Sequence, residues 1–237
     1  MYNTILFDLD GTLAPFLQDE FIRVYFEALI QRLTPMGYDA GKLVQALWKG
    51  VDAMVKNEGS FTNRQVFWDV FTQELGVQAL ALENILNDFY AREFDGVRSV
   101  LRENVDRSGL IRSLRERGYT LVLATNPIFP AVAVETRLGW VGLTGSDFDL
   151  VTTYENSRSS KPNPAYYQSI LSHMGKRNET CLMIGNNPVD DMAAQKLGMA
   201  VYLVTDCLEN PGGLPVDGYP HGSFRELEAR LAALPQV

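Results

Sequence analysis

The chain has 237 residues, of which 46% are hydrophobic and 21% charged, with a formal net charge of -8. This length allows a substantial core, and the acidic balance argues against duplex nucleic acid or an anionic membrane as partners, since both require clustered Lys and Arg. No apolar stretch approaches the roughly 20 residues of a membrane span, and Cys181 and Cys207 form neither a disulfide framework nor a zinc motif. We therefore expect a cytoplasmic protein, monomeric by default.

Five short apolar runs predict the strands of a sheet. They cover residues 4–7, 119–124, 148–151, 181–184 and 201–204. Nearly continuous apolar runs are typical of strands buried on both faces, as in a parallel sheet flanked by helices. The predicted fold class is therefore α/β, with a doubly wound parallel sheet of the Rossmann-like kind. A Pro- and Gly-rich loop over 211–220 is expected before a last helix over 224–234.

A long helical stretch separates the first two runs. Between residues 18 and 94 the apolar residues recur at helical spacing, which predicts four helices. Asp39 is placed to cap the second helix, and Thr62 with Gln65 forms a capping-box pattern at the start of the third. The tryptophans are expected to be packing residues rather than a stacking platform. They are Trp48, Trp68 and Trp140.

The length of this helical stretch exceeds that of a single crossover between strands. We therefore predict an inserted helical cap over residues 15–95 and a catalytic core formed by residues 1–14 and 96–237. The cap is expected to close over the site and determine selectivity. Candidate lining residues are Phe16, Gln18, Arg23, Tyr25 and the apolar loop 127–130.

The segment Asp8-Leu9-Asp10-Gly11-Thr12 directly follows the first apolar run. Its two carboxylates are one residue apart, and the glycine indicates that the chain is turning as it leaves the sheet. The two acids can therefore converge on one point. A pair of this kind suits a nucleophile and a proton donor.

Polar residues follow the other predicted strands as well, and ligands of open parallel sheets bind outside the carboxyl ends of the strands. Together they offer oxygen ligands for a cation, hydroxyl and amide donors, and one ammonium group, which suits a phosphoryl group bound through Mg2+. Two Asn-Pro pairs also predict two helix N-termini at this edge, which would favour an anion. The residues are Thr125, Asn126, Lys161, Asn163, Pro164, Gly185, Asn186, Asn187 and Pro188.

These motifs, in this order, resemble the four motifs of the haloacid dehalogenase-like hydrolases, and the resemblance covers most of the chain. It also places the helical stretch where the type-1 helical caps of that superfamily lie. The resemblance implies that Asp8 is a nucleophile that forms an aspartyl-phosphate, and that Asp10 protonates the leaving oxygen and later activates water. It implies that Thr125 and Asn126 bind the phosphoryl oxygens, and that Lys161 offsets the charge of the nucleophile and the phosphoryl group.

The resemblance further implies Mg2+ held by the Asp8 carboxylate, the Asp10 backbone carbonyl and the fourth motif, through Asn186 and Asp191. Most members have Asp where this chain has Asn186. An amide oxygen is a neutral ligand, so we expect weak Mg2+ binding unless Asp190 or Asp191 compensates. Both acids would lie in the first turn of a helix beginning at Pro188.

The expected activity is hydrolysis of a small phosphorylated metabolite, and several alternatives stay open. Dehalogenation is disfavoured, because the dehalogenases of this superfamily lack the second acid that Asp10 supplies. Phosphonate cleavage would need a cap lysine, and a phosphomutase or a non-catalytic ligand-binding member also fits the pattern. A signalling receiver is disfavoured, because receivers are about half this length and lack inserted helices. The candidate cap lysines are Lys42, Lys49 and Lys56.

Overall fold

A six-stranded parallel sheet lies at the centre of the computed structural model, which describes residues 2–237. The strand order is β3-β2-β1-β4-β5-β6, and every neighbouring pair is parallel. This is the doubly wound order, so the predicted α/β fold class is confirmed. The strands are β1 (Thr4–Phe7), β2 (Thr120–Leu123), β3 (Leu150–Val151), β4 (Cys181–Gly185), β5 (Ala200–Val204) and β6 (His221–Gly222).

Eight α-helices accompany the sheet in the described part of the chain, and four of them lie between residues 18 and 94, as predicted. Asp39 and the Thr62/Gln65 capping box stabilise the starts of α2 and α3 as expected. Within residues 2–237, no helix combines the length and the apolarity needed to cross a membrane. The helices are α1 (Gln18–Leu33), α2 (Ala40–Val55), α3 (Asn63–Leu75), α4 (Leu82–Arg92), α5 (Ser108–Glu116), α6 (Ala131–Gly139), α7 (Pro164–Met174) and α8 (Phe224–Ala232).

The two faces of the sheet bury two separate apolar clusters, because successive strand residues point to opposite sides. From β1, Ile5 and Phe7 pack with α5, α6, α8 and the helices that precede β2. Leu6 packs on the other face against α7 and the 3-10 helix Met192–Leu197. Because α1 to α4 share a continuous cluster with Ile5 and Phe7, apolar packing holds them against the sheet domain.

One expectation about the carboxyl half was wrong, and one strand there was not predicted. No α-helix begins at Pro188: the chain forms a turn there, and a 3-10 helix follows from Met192 to Leu197. The segment His221–Gly222 forms the short strand β6, which no apolar run had indicated. A two-residue strand is too short to produce a detectable periodicity.

Candidate active site

The carboxyl ends of three adjacent strands carry the first, second and fourth motifs. Asp8 directly follows β1, Thr125 lies two residues beyond β2, and Asn186 directly follows β4. Since β1 lies between β2 and β4, these residues meet at one edge, where the strand order reverses. We call this edge, together with the loop that carries Lys161, the catalytic edge.

Asp8 is held by two side chains, one on each carboxylate oxygen. The Lys161 ammonium donates to Asp8 Oδ1 at 2.8 Å, and the Thr12 hydroxyl donates to Asp8 Oδ2 at 3.1 Å. The Asp8 side chain is only 8% exposed. A carboxylate held in this way is oriented and partly neutralised, which suits a nucleophile that must approach the phosphorus of a negatively charged phosphoryl group.

Lys161 is buried between two carboxylates. Its ammonium also donates to Asp191 Oδ1 at 2.6 Å, and the side chain is 1% exposed. Burial lowers the pKa of Lys161, but the Asp191 and Asp8 carboxylates outweigh burial and hold the pKa well above its usual range. Lys161 therefore supplies a full positive charge at neutral pH.

Asp191 serves as the anchor of Lys161. Its Oδ1 accepts from the ammonium, and its Oδ2 accepts from the Asn187 backbone N–H at 2.9 Å. Burial raises the pKa of the Asp191 carboxyl, and Lys161 opposes that rise. Gly185 allows this close approach, because a Cβ at that position would lie 2.1 Å from Asp191 Cγ. Since both Asp191 oxygens accept hydrogen bonds, the assignment of Asp191 as a metal ligand stays a prediction.

The turn after β4 is capped by the side chain of Asn187. Its Oδ1 accepts from the backbone N–H groups of Val189 and Asp190, at 2.8 and 3.0 Å. The Asn-Pro pair therefore caps a turn instead of the predicted α-helix. The second Asn-Pro pair behaves as predicted: Asn163 caps α7, with Pro164 as its first residue.

A divalent cation fits the oxygens around Thr12. The Thr12 hydroxyl is shared between Asp8 Oδ2 and Asn186 Oδ1, which is 3.3 Å away, so two acceptor oxygens converge on a single donor. An excess of oxygen acceptors of this kind suits a hard cation. Within residues 2–237, no three His, Cys, Asp or Glu side chains form a metal-binding group. Asn186 and a backbone carbonyl would therefore have to complete the coordination.

Asp10 is paired with a residue that the motifs did not indicate. The Arg137 guanidinium on α6 donates to Asp10 Oδ2, and the Arg137 side chain is fully buried. Burial raises the pKa of the Asp10 carboxyl, and Arg137 opposes the rise. The other oxygen, Asp10 Oδ1, is buried without a hydrogen-bond partner in the described chain. An unpaired buried oxygen of this kind is available to a ligand.

A signal for Arg137 was present in the sequence but was not used. On α6, Arg137 lies on the same face as Ala133, Val134 and Leu138, all of which are buried. A charged residue on the apolar face of a helix requires a buried partner. The spacing therefore marked Arg137 as unusual, although it did not identify Asp10 as its partner.

The residues predicted to bind phosphoryl oxygens lie in the loop after β2, the strand next to β1. Thr125 is buried, and its carbonyl accepts from Thr152 and Tyr166 at 2.8 and 2.9 Å. Asn126 Oδ1 is buried and unpaired within the described residues. The hydrogen bonds to the Thr125 carbonyl fix the backbone of this loop. The Asn126 side chain retains hydrogen-bonding capacity for a ligand.

A buried amide links the helices before β2 to the catalytic edge. Asn63, at the start of α3, donates to the Pro127 carbonyl at 2.9 Å and to the Ser160 hydroxyl at 3.0 Å. Pro127 follows Asn126, and Ser160 precedes Lys161. Asn57 in turn donates to Asn63 Oδ1 at 2.8 Å. Asn63 therefore holds together the two loops that carry the second and third motifs.

Comparison with known proteins agrees with this geometry. A sequence model of haloacid dehalogenase-like hydrolases matches residues 2–198. The chain belongs to the haloacid dehalogenase-like hydrolase family. Within that family it is an enzyme of the phosphatase type.

Relatives and solved structures cover most of the chain. A phosphoglycolate phosphatase of Aliivibrio fischeri is 30% identical over 202 residues, which is 85% of this chain and 83% of that protein. Pyrophosphatase PpaX of Bacillus pumilus is 24% identical over 200 residues, covering 83% and 80% of the two chains. The crystal structure of a haloacid dehalogenase-like phosphatase from Thermococcus onnurineus covers 100% of both chains with a TM-score of 0.60 at 18% identity. The two relatives carry different substrate names, so membership of the family leaves the substrate open.

Proposed function

We propose that this chain is a Mg2+-dependent phosphatase that hydrolyses a small phosphorylated metabolite through a phosphorylated Asp8. The observation that supports this most strongly is the contact of the Lys161 ammonium with Asp8 Oδ1 at 2.8 Å. This contact brings the buried Lys161 ammonium, from a loop far along the chain, against the first carboxylate of the first motif. An arrangement of this kind stabilises the charge that develops as a phosphoryl group is transferred.

In the first step, an Asp8 oxygen attacks phosphorus, and the bond from phosphorus to the leaving oxygen breaks. Asp10 donates its proton to that leaving oxygen. In the second step, Asp10 takes a proton from a water molecule, which attacks the phosphorus and releases phosphate and free Asp8. Arg137 would hold the Asp10 carboxyl group in place during both steps.

Thr125 and Asn126 would hold the phosphoryl oxygens, and Lys161 would offset their charge. Mg2+ bound to Asp8, the Asp10 backbone carbonyl and Asn186 would neutralise a phosphoryl oxygen and orient it. Because Asn186 is neutral, this binding should be weak. Saturation at low micromolar Mg2+ would contradict that expectation.

We also propose that residues 15–95 act as a cap over the catalytic edge. Support comes from Asn63, which bonds to both loops of that edge. Further support comes from Arg64, whose backbone N–H donates to the Tyr154 carbonyl in the loop after β3, at 2.8 Å. A cap held in this way would exclude water from the site during transfer.

The structure weakens the phosphonate alternative. That chemistry needs a lysine facing the site, but the three candidate lysines are exposed on the surface. Lys49 pairs with Glu74 and Lys56 with Asp52, each at 2.8 Å. Lys42 lies near the start of α2, where its backbone N–H donates to the Asp39 cap.

The test is the substitution Asp8→Asn, with phosphate release measured over a set of phosphorylated metabolites. We expect a loss of at least about 10³-fold, because the nucleophile is removed while the side-chain volume is kept. The matched control is Asp19→Asn, an exposed acid in the first turn of α1, which should change nothing. Addition of a chelator should abolish the activity of the unaltered chain. Undiminished turnover by Asp8→Asn would refute the proposed mechanism.

A further inference from the structure

An apolar cavity of about 90 Å³ lies between the inserted helices and the loop that follows Asn126. We call it the aromatic cavity. Its volume is of the same order as the ~150 Å³ apolar cavity that holds a benzene ring in an engineered protein. Its walls include Phe21, Phe26, Trp48, Phe67, Trp68 and Tyr90.

The aromatic cavity adjoins the catalytic edge through the loop that follows Asn126. Ile128 and Phe129 line it, and the Ile128 backbone N–H donates to the Asn126 carbonyl at 2.8 Å. The Arg137 guanidinium lies 4.3 Å from the centre of the Phe129 ring and is paired with Asp10. The cavity wall at Phe129 is therefore one guanidinium away from the Asp10 carboxyl group, which would protonate the leaving oxygen.

The lining of this cavity is unsuited to a second anionic group. Its only charged lining residue within residues 2–237 is Glu83, which is already bound by Arg64 at 2.6 Å. A substrate carboxylate or second phosphate would be buried there without a cationic partner, which is costly. An aromatic ring, in contrast, would gain from leaving water and packing edge-to-face against the lining rings.

We propose that the aromatic cavity holds the leaving group of the substrate, and that the substrate is a phosphate monoester of an arylalkyl alcohol. This inference depends on the proposed phosphatase function. The ester bond from phosphorus to oxygen breaks as the bond from Asp8 to phosphorus forms. The released alkoxide takes the proton of Asp10, so the products are the arylalkyl alcohol and, after hydrolysis, phosphate.

Some polar substituents on the ring are compatible with this site. The side-chain amides of Gln18 and Asn87 also line the cavity, and each can donate and accept hydrogen bonds. The hydroxyls of Tyr25 and Tyr90 bond to each other. The substrate class therefore includes rings that carry a hydroxyl group or a ring nitrogen, but not rings that carry a carboxylate.

The experiment compares kcat/KM for benzyl phosphate, 2-phosphoglycolate, pyrophosphate and acetyl phosphate, with Mg2+ present. We expect benzyl phosphate to exceed 2-phosphoglycolate and pyrophosphate by about tenfold or more, as expected for burial of a ring. Val51→Phe fills the cavity from α2 and should lower the ratio of benzyl phosphate to acetyl phosphate turnover by about tenfold. Val55→Phe, one turn further on and exposed, is the matched control and should leave that ratio unchanged.

Two other results would overturn the inference. Faster hydrolysis of 2-phosphoglycolate or pyrophosphate would remove the aryl preference but leave the phosphatase function standing. Absence of Mg2+-dependent hydrolysis of all four compounds would refute the proposed function, and the leaving-group assignment with it. Circular dichroism and thermal melting check the folding of both variants, and the ranking of substrates by the unaltered chain decides the matter if Val51→Phe unfolds.

Discussion

The catalytic edge and the aromatic cavity lie next to each other but are stabilised by opposite means. At the catalytic edge, buried charges are paired: Lys161 with Asp8 and Asp191, and Arg137 with Asp10. In the cavity, aromatic rings pack against each other, and polar groups are few. We propose from this difference a division of labour, in which the sheet provides the reaction chemistry and the inserted helices provide selectivity.

The largest expected effect on activity comes from replacing Lys161, which pairs with both Asp8 and Asp191. Lys161→Met removes the ammonium bonded to Asp8 and leaves two buried carboxylates without this counter-ion. We expect kcat/KM to fall by about 10²–10³-fold, as for loss of a preorganised donor. The control is Lys49→Met, which removes a surface lysine paired with Glu74. Equal activity of the two variants would show that the Lys161 charge does not assist the reaction.

The next effect tests the second charge pair. Arg137→Met leaves the Asp10 carboxylate buried and unpaired, so we expect a loss of about 3 kcal/mol in the free energy of unfolding. Arg92→Met is the control, because Arg92 pairs with Asp88 on the exposed surface of α4 and should contribute little. Urea denaturation of both variants measures the difference. A loss below about 1 kcal/mol in Arg137→Met would show that the pair is not needed to hold Asp10.

The link between the inserted helices and the catalytic edge is tested at Asn63. Asn63→Ala removes the donor shared by the Pro127 carbonyl and the Ser160 hydroxyl, so both acceptors lose a buried partner. We expect a loss of about 2 kcal/mol in stability. We also expect kcat/KM to fall further in Asn63→Ala than in the control Asn84→Ala, which alters an exposed residue of α4. Loss of stability with unchanged kinetics would assign Asn63 to packing alone.

The smallest expected effect is a change in Mg2+ affinity. Asn186→Asp adds a negative charge beside Asp8, so we expect about a tenfold increase in Mg2+ affinity. The gain is limited because the Asn186 amide donates to the Cys207 carbonyl at 2.7 Å, and a carboxylate cannot donate there. Calorimetric titration with Mg2+ measures the change without requiring turnover. Unchanged affinity would place the cation away from residue 186.

The catalytic edge was largely predictable from the sequence, whereas the aromatic cavity was not. Asp8, Lys161 and Asn186 stand beside strand ends, and the carboxyl ends of parallel strands must meet at one edge. Helical periodicity predicts which face of α1 or α2 is apolar, but it does not distinguish a packed core from a cavity. Trp48 illustrates this limit: it was expected to be a packing residue, yet it is 45% exposed and lines the cavity.

The residues predicted to line the pocket show the same limit of periodicity as a guide to side-chain orientation. Of the proposed lining residues, Gln18, Tyr25 and the loop after Asn126 do line the cavity, whereas Arg23 pairs with Glu27 on the surface. Phe16 is buried and stacks on Phe21 at 4.9 Å between ring centres, behind the cavity wall. Tertiary packing between helices decides these orientations, and the periodicity of a single sequence does not reveal that packing.

The most direct test of the central claim is to identify the phosphorylated residue during turnover. The enzyme is mixed with substrate and Mg2+, quenched in acid within one turnover, digested, and analysed by mass spectrometry. We predict a phosphoryl group on Asp8 and none in the Asp8→Asn variant. Hydrolysis that proceeds with no phosphorylated Asp8, or with the phosphoryl group on another residue, would contradict this account.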